Sequence, residues 1–180
     1  GGASCPSLLL EPSRTNLVGQ SEYFGGSYWT VDGASFVGGL ISPESLSNAY
    51  ELKEGANNGF HFFYDNGFTI VNGTSYTMSV FVKYNGRQWL RLLGQFGNSN
   101  QQAYFDVQNG VTGSKDAGVV SGIEDYGNGW YRVYLTATSD GTAGRYRGYL
   151  AITDGDPSYQ GDDTSGVYLY GATFEQGSYP

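Results

Sequence analysis

The stretch Asp125-Tyr-Gly-Asn-Gly-Trp-Tyr-Arg-Val-Tyr-Leu135 decides the fold, because in it a glycine-rich turn opens directly into an aromatic strand. Glycine and asparagine fill positions 127–129 and tolerate the positive φ angles that tight turns require. The strand residues alternate between two faces, with Tyr131, Val133 and Leu135 on one and Trp130, Arg132 and Tyr134 on the other. One apolar face and one aromatic, cationic face predict a sandwich whose second face has a role beyond packing.

The rest of the sequence extends this pattern to an all-β protein. Its 180 residues include 29 glycines and 16 tyrosines but only nine lysines and arginines, a composition typical of short strands joined by tight turns. Alternating runs separated by turn signals predict roughly ten to twelve strands and no helix. We therefore predict a two-sheet antiparallel β-sandwich of the jelly-roll type. Because no repeat, linker or low-complexity tract interrupts residues 1–180, we expect one domain.

The same signals assign individual strands and turns. The predicted strands cover residues 7–11, 34–39, 49–53, 75–84, 88–93, 101–107, 117–123, 129–138, 144–152 and 165–175. The turn Asp65-Asn66-Gly67 follows an aromatic run and predicts a β-hairpin. Trp29 and Trp130 each follow glycines where a loop enters a strand, so we predict that both are structural and cap the core.

The charge of the chain excludes several partners. The formal net charge is −8 at pH 7, whereas binding to nucleic acids or to anionic membranes requires a basic surface. No apolar run approaches the length of about 18 residues that a membrane-spanning helix needs. We therefore expect neither nucleic-acid binding nor membrane insertion. Neutral sugars are compatible with this charge, and a local cluster such as Arg145 and Arg147 could bind an anionic one.

The titratable residues do not predict an enzyme. His61 is the only histidine and no Gly-x-Ser-x-Gly motif accompanies it, so we interpret it as a hydrogen-bonded strand residue. A zinc site would need several His or Cys ligands, and Cys5 is the only cysteine. Neighbouring carboxylates fall at turns, where we interpret them as solvated residues rather than the pair that glycoside hydrolysis requires. These neighbours are Glu124 with Asp125, Asp154 with Asp156, and Asp162 with Asp163.

These patterns require no cofactor, but they leave a structural calcium open. The loop Asp154-Gly-Asp-Pro-Ser-Tyr-Gln-Gly-Asp-Asp163 is rich in carboxylates and carbonyls, which are the ligands that calcium takes in proteins. The loop lacks the spacing of an EF-hand. Neither the metal nor its position therefore follows from the sequence.

Aromatic and planar polar side chains on one strand face are the main functional signal. Sugar rings stack on Trp and Tyr, and their hydroxyls bind to Arg, Asp, Asn and Gln. The predicted ligand-binding residues are Trp89, Arg91, Tyr104, Tyr134, Arg145, Arg147, Tyr149, Tyr159 and Asp162. Among them, Trp89, Tyr104, Tyr149 and Arg147 are expected to contribute most to binding. The alternative is that many of these aromatics lie in the core, because a register error exchanges the two faces of a strand.

Several segments, taken in order, resemble a known type of domain. They are Cys5-Pro-Ser-Leu-Leu-Leu-Glu-Pro-Ser-Arg-Thr-Asn-Leu17 with Ser21-Glu-Tyr-Phe24 and Trp29, then Gly127-Asn-Gly-Trp-Tyr-Arg132, Tyr159-Gln-Gly-Asp162 and Tyr168-Leu-Tyr-Gly-Ala-Thr-Phe-Glu-Gln-Gly177. Together they resemble the jelly-roll, carbohydrate-binding-module-like domains of bacteriophage tail and virion proteins and of marine bacterial surface proteins. The resemblance implies a β-sandwich whose first and last strands lie close together, with a ligand on the concave sheet or in the edge loops. It carries over no catalytic residue.

These observations together predict a non-catalytic carbohydrate-binding, lectin-like domain of an extracellular or virion-surface protein. Its expected partner is a glycan or polysaccharide. An alternative from another class is a structural assembly domain of a phage tail, fibre or decoration protein, whose aromatic faces contact other copies or subunits. A third alternative is a small glycan-active enzyme.

Overall fold

The computed structural model describes residues 14–178, and its two large β-sheets confirm the predicted antiparallel β-sandwich. The predicted strand at residues 7–11 and Cys5 lie outside the described residues. Over the described range the chain forms sixteen strands rather than ten to twelve. The difference arises because several strands are only two or three residues long, which is too short for a periodic sequence signal.

The strands are, in chain order, β1 (Thr30–Asp32), β2 (Ala34–Leu40), β3 (Ala49–Glu54), β4 (Asn58–Phe60), β5 (Phe62–Tyr64), β6 (Phe68–Thr69), β7 (Ser75–Asn85), β8 (Trp89–Phe96), β9 (Ser99–Asp106), β10 (Val111–Lys115), β11 (Val120–Asp125), β12 (Trp130–Thr138), β13 (Ala143–Arg145), β14 (Arg147–Ala151), β15 (Ser158–Gln160) and β16 (Gly166–Gln176). The larger sheet has eight strands in the order β1-β5-β14-β8-β13-β6, with β9 on β8 and β10 on β9. The smaller sheet has six strands in the order β11-β12-β7-β16-β3-β2. A two-stranded sheet pairs β15 with β4.

The core lies between the two large sheets and is built by the alternation that the sequence predicts. From the larger sheet Leu90, Leu92 and Phe105 are fully buried, and from the smaller sheet Val133 and Leu135 of β12 meet them. Because side chains alternate along a strand, the residues between these core positions project from the outer faces of the sandwich. The outer face of the larger sheet therefore carries the odd-numbered side chains of β8.

Trp29 has the predicted structural role. It is buried, its ring stacks on Phe24 with 5.3 Å between ring centroids, and it meets Phe63 and Tyr146 edge to face. Its indole N–H donates to the carbonyl of Gln20 at 2.9 Å. The indole therefore fills the core and satisfies its one donor.

Trp130 is buried as predicted, but it does not lie in the core between the sheets. It belongs to a separate cluster with Ala49 and Tyr170, against which Phe81 packs. The prediction that Trp130 caps the core is therefore wrong. The physical reason is that alternation along β12 places it on the outer face, opposite to Val133.

The predicted hairpin at Asp65-Asn66-Gly67 is also wrong. The strands on either side of it, β5 and β6, do not pair with each other: β5 pairs with β1 and β14, and β6 pairs with β13. The Asp65 carboxylate is buried and accepts N–H hydrogen bonds from Gly67 and Tyr146, each at 3.1 Å. These bonds hold the turn against β13 and β14, so the chain continues along the same sheet instead of folding back.

The beginning of the described chain runs beside the last strand, whereas the predicted first strand at residues 7–11 lies outside the described residues. Asn16 forms an isolated antiparallel bridge with Glu175. Its side-chain amide donates to the carbonyl of Ala172 and accepts from the N–H of Phe174, which lie at 3.2 and 2.9 Å. These contacts join positions that are more than 150 residues apart in the sequence.

Candidate functional site on the eight-stranded sheet

The strand register of the larger sheet places three residues of the predicted site and one further aromatic residue in one row on its outer face. Arg91 of β8 is the partner of Tyr104 on β9 and of Tyr149 on β14. Tyr149 is in turn the partner of Phe62 on β5. Because residues directly opposite each other on neighbouring strands bring their side chains together, the four form a continuous strip across the sheet.

Two further arginines project beside this strip. Arg145 ends β13, and Arg147 and Tyr149 lie on β14; both strands pair with β8 in one continuous register. These three alternate residues therefore point to the outer face, and each lies about 7 Å from the next. Arg145 is the partner of Gln95 on β8, and Arg147 is the partner of Tyr64 on β5. The local sequence explains this arrangement, because polar or aromatic residues alternate here with the inward-facing Tyr146, Gly148 and Leu150.

A groove of ≈ 280 Å³ lies between these side chains. Its lining residues are Phe62, Tyr64, Arg145, Arg147 and Tyr149. We refer to it as the arginine groove. Three of its five residues belong to the predicted site, and the other two, Phe62 and Tyr64, were missed. Their signal is present in the run Gly59-Phe-His-Phe-Phe-Tyr64, where aromatic residues at positions 60, 62 and 64 alternate with inward-facing ones.

Aromatic stacking forms one wall of the groove. The rings of Phe62 and Tyr149 are nearly parallel, with 4.5 Å between centroids and 4° between planes. Phe62 also stacks on Tyr64 at 5.6 Å, and Phe60 meets the edge of Tyr149 at 5.8 Å. Phe60 is 48% exposed, whereas Phe62 and Tyr64 are half-buried. Phe62 and Tyr64 therefore give this wall its accessible aromatic surface, and Phe60 adds an exposed ring beside it.

Tyr149 and Tyr104 hold Arg91 in place rather than presenting free ring faces. The Arg91 guanidinium lies 4.8 Å from the centroid of the Tyr149 ring and 5.8 Å from that of Tyr104, distances typical of cation–π contacts. Since β14 lies between β5 and β8, Tyr149 is enclosed by Phe62 on one side and Arg91 on the other. Only 8% of Tyr149 and 5% of Tyr104 is exposed. These two rings, which with Trp89 were predicted to stack on a sugar, are therefore largely covered.

The electrostatics of the groove are dominated by its cations. The pKa of Arg147 is lowered, first by burial and then by the charges of Arg145 and Arg91, against an opposing effect of Tyr149. The pKa of Asp65 is raised by burial, although the N–H groups of Tyr146 and Gly67 and the charges of Arg145 and Arg147 act in the opposite direction. Asp65 thus acts on the arginines from within the protein without forming an ion pair with them.

Trp89 projects from the same outer face, at the far end of β8. Its partner on β9 is Asp106. The backbone of Gly113 on β10 packs against the indole so closely that a Cβ there would lie 2.6 Å from Trp89 Cζ3. Asp154 closes the same corner by accepting hydrogen bonds from the N–H and hydroxyl of Ser114. Trp89 is therefore half-buried and does not line the arginine groove.

Tyr134 lies on the other side of the sandwich. It belongs to β12 of the six-stranded sheet, where its partners are Ser79 and Gly122. Its ring lies across Gly122, where a Cβ would come 2.4 Å from the hydroxyl oxygen. The structure therefore does not bring Tyr134 together with the residues of the arginine groove.

Tyr159 and Asp162 belong to a buried ion-pair network instead. Glu54 is fully buried and receives two hydrogen bonds from Arg87, at 2.8 and 2.6 Å. The Tyr159 hydroxyl donates to Glu54 at 2.7 Å and the Asp162 N–H at 2.9 Å. Tyr159 is 6% exposed and the Arg87 guanidinium covers its ring at 4.6 Å, so the ring is not available to a sugar. We refer to these four residues as the Glu54 network.

The remaining titratable candidates lie apart from the groove. His61 is fully buried, with its ring nitrogens within hydrogen-bonding distance of the carbonyls of Gly33 and Tyr159, in agreement with its predicted structural role. Within residues 14–178 no group of three or more His, Cys, Asp or Glu side chains is arranged to hold a metal ion. The same part of the chain contains no helix long and apolar enough to cross a membrane.

No protein-family model and no curated protein matches the sequence. Several solved structures match the fold. Endo-1,4-β-D-xylanase 10B of Clostridium thermocellum, solved as CBM22-1 and GH10 modules with xylohexaose, is 14% identical over 93% of this chain, with a TM-score of 0.52. The enzymatically active domain of bacteriophage CBA120 tailspike protein 4 is 13% identical over 89% of this chain, also with a TM-score of 0.52. A CBM4 structure is 13% identical and covers 83% of this chain and 86% of that one, with a TM-score of 0.47.

The matches to the xylanase and the tailspike protein concern part of each of those proteins. This chain spans 28% of the xylanase chain and 21% of the tailspike chain. At identities this low the likeness establishes the fold alone. The chain therefore has the predicted β-sandwich, a fold that it shares with parts of the xylanase and tailspike proteins.

Proposed function

We propose that this protein is a non-catalytic carbohydrate-binding domain and that the arginine groove is its binding site. One observation carries the proposal: an aromatic wall and two arginines line the same groove. The wall includes the stack of Phe62 on Tyr149, with 4.5 Å between ring centroids. Sugars combine apolar C–H faces with hydroxyl groups, so they need both kinds of surface at once. The partly exposed rings supply the first and the guanidinium forks of Arg145 and Arg147 supply the second.

The composition of the groove supports binding without turnover. Glycoside hydrolysis uses two carboxylic acids on either side of the scissile bond. The five residues that line the groove are aromatic or basic, and none is an acid. The carboxylates Asp154 and Asp162 accept hydrogen bonds from their own loops or a neighbouring strand, away from the groove.

The fold supports the same proposal. The xylanase neighbour contains a module named as carbohydrate-binding and was solved with xylohexaose, and the tailspike neighbour comes from a bacteriophage. We infer an extracellular or virion-surface setting, in which a glycan or polysaccharide is the partner. Because the tailspike neighbour is described as an enzymatically active domain, the test must measure product release as well as binding.

The experiment is a glycan array followed by calorimetry on the parent and two variants, Phe62→Ala and Tyr64→Ala. Each variant removes one ring of the groove wall and should weaken binding about fivefold, the equivalent of about 1 kcal/mol of aromatic contact. Tyr126→Ala is the matched control, because Tyr126 is exposed directly after β11, which belongs to the smaller sheet. Binding that is equal in all four proteins would place the site elsewhere. Release of reducing ends from a bound polysaccharide would refute the proposal that the domain is non-catalytic.

A structural assembly domain is a second candidate function, favoured by the outer face of the six-stranded sheet. There Tyr126 is 49% exposed and its ring meets the edge of Phe81 at 4.8 Å. Phe81 continues to Tyr170 and the buried Trp130, so an aromatic patch reaches the surface. Light scattering after size-exclusion chromatography distinguishes the two candidates. Assembly through this patch predicts an oligomer that Tyr126→Ala dissociates, and the binding proposal predicts no such change.

A further inference from the structure

The outer face of the larger sheet concentrates positive charge in an acidic protein. The chain has 17 acidic and nine basic side chains. Three of the nine, Arg91, Arg145 and Arg147, project from neighbouring strands on this one face. Like charges on neighbouring positions of a sheet repel each other. Such an arrangement destabilises the fold, which indicates that the three charges have a role in binding.

The protein does not neutralise these three cations. Within the described residues none of their guanidinium groups has a carboxylate within the 4.0 Å of an ion pair, whereas Arg87 is paired at 2.6 Å with the buried Glu54. Asp65 does act on two of them electrostatically. Its Oδ1, however, accepts the N–H groups of Gly67 and Tyr146. The chain therefore pairs an arginine closely where the role is structural and leaves the groove arginines without a close counter-ion.

The hydrogen-bonding capacity of the same arginines is incompletely used. The Nε atoms of Arg91 and Arg145 are buried and have no hydrogen-bond partner among residues 14–178. Buried donors without partners are costly and uncommon in folded proteins. Because Arg145 lines the groove, an oxyanion bound there would lie beside one of these unused donors.

We propose that the arginine groove selects an acidic glycan, with a carboxylate or sulfate group of the sugar held by Arg145 and Arg147 and the sugar ring against Phe62 and Tyr64. This inference rests on the proposed function, because it names the class of sugar that the same site takes. Guanidinium forks bind planar or tetrahedral oxyanions through two parallel N–H···O bonds, and Lys cannot reproduce this geometry. Arg91, fixed between Tyr104 and Tyr149, adds the third charge.

The test compares acidic oligosaccharides with matched neutral forms by calorimetry at fixed ionic strength. One pair is an oligogalacturonate and its methyl ester, in which esterification removes the negative charge and adds a methyl group. The second pair is a sulfated galactan oligosaccharide and its desulfated form. Xylohexaose serves as an unrelated neutral sugar. The acidic member of at least one pair should bind at least about tenfold more tightly than its neutral partner, and the pair that shows the difference identifies the recognised group.

Three variants assign the effect to the groove. Arg147→Gln removes the charge and should lower affinity for the acidic sugar about tenfold while leaving the neutral form nearly unchanged. Arg147→Lys keeps the charge without the fork and should recover only part of the loss. Arg132→Gln is the control, because Arg132 lies on the smaller sheet, over the ring of Phe81. Thermal unfolding of each variant confirms that it is folded.

Each outcome separates this inference from the proposed function. If neutral and acidic members bind equally and Phe62→Ala weakens both, the protein binds glycans but the inference is refuted. If Arg132→Gln weakens acidic binding as much as Arg147→Gln, diffuse charge explains the attraction and the inference is also refuted. If no sugar in either pair binds and the array is blank, the proposed function itself fails. A tenfold preference for the acidic form that Arg147→Gln removes supports both.

Discussion

Replacing Arg87 by Met should destabilise the protein strongly, because it leaves a buried carboxylate without its counter-ion. Glu54 is 0% exposed and receives four hydrogen bonds, two of which come from Arg87. The substitution leaves Glu54 with only the Tyr159 hydroxyl and the Asp162 N–H. Removing one partner of a buried ion pair typically costs about 3–5 kcal/mol. Met retains part of the packing over the Tyr159 ring, so the loss should be mostly electrostatic.

A double-mutant cycle separates this effect from lost packing. Glu54→Gln removes the charge and keeps one oxygen, which replaces one of the two acceptors, because Tyr159 donates to Oε2 and the Asp162 N–H to Oε1. In the Arg87→Met/Glu54→Gln double variant no charge is left buried, so the two changes should cost less together than the sum of the single changes. We expect a coupling of about 2 kcal/mol, within the range found for residues in direct contact. Urea unfolding followed by tryptophan fluorescence gives all four free energies by linear extrapolation.

Two results would refute this reasoning. One is a loss below about 1 kcal/mol for Arg87→Met, which is the range of exposed pairs and would mean that water reaches Glu54. The other is strict additivity in the cycle, which would mean that Arg87 and Glu54 contribute independently. Either result would also reopen the assignment of Tyr159 and Asp162, since their place in the Glu54 network is what separates them from the proposed binding site.

Three further perturbations test other parts of the fold. Trp29→Ala removes a ring that packs against three others in the core and should cost about 3–5 kcal/mol, so an unchanged melting temperature would contradict its burial. Gly148→Ala places a Cβ 2.3 Å from Phe63 Cε1, and this overpacking should cost about 1–3 kcal/mol in urea unfolding, so a neutral result would show that the ring can move. Asp162→Asn should be less stable than the parent at pH 7. Hydrogen bonds from the Ser165 hydroxyl and N–H and from Thr164 lower the pKa of Asp162 below its usual value of about 3.9. A carboxyl with a depressed pKa stabilises the fold at a pH above its unfolded pKa, and this effect is lost as the pH falls. The difference in unfolding free energy between parent and variant should therefore narrow below about pH 4. A difference that does not change with pH would contradict this cause.

The sequence predicted the two faces of the long strands because a period of two is visible within a single strand. In β8, for example, Leu90 and Leu92 are fully buried while Arg91 projects from the other face. The same alternation placed Arg145, Arg147 and Tyr149 together. Local sequence therefore sufficed for the sandwich and for the cationic half of the groove.

Features that depend on which strands become neighbours could not be predicted in this way. Nothing local indicates that β5 lies beside β14, so the stack of Phe62 on Tyr149 is invisible in the sequence. The contact of Tyr159 with Glu54 joins residues 105 positions apart, and the loop signal around Tyr159 gave no hint of it. The hairpin failed for the same reason, since Asp65 finds its partner at Tyr146, 81 residues away.

The difference between facing outward and being exposed explains why several tyrosines of the predicted site are covered in the structure. Alternation tells which face of a sheet a ring occupies, but the exposure of that ring depends on what stands on the strands to either side. Tyr149 has Phe62 on one neighbouring strand and Arg91 on the other, and its exposure falls to 8%. Such a covered ring cannot contact a ligand with its face, but it immobilises the guanidinium beside it. A mobile arginine would lose side-chain entropy when a ligand binds, and this arginine loses less. The covered tyrosines are therefore consistent with a preorganised site in which Arg91 is held in position by aromatic rings.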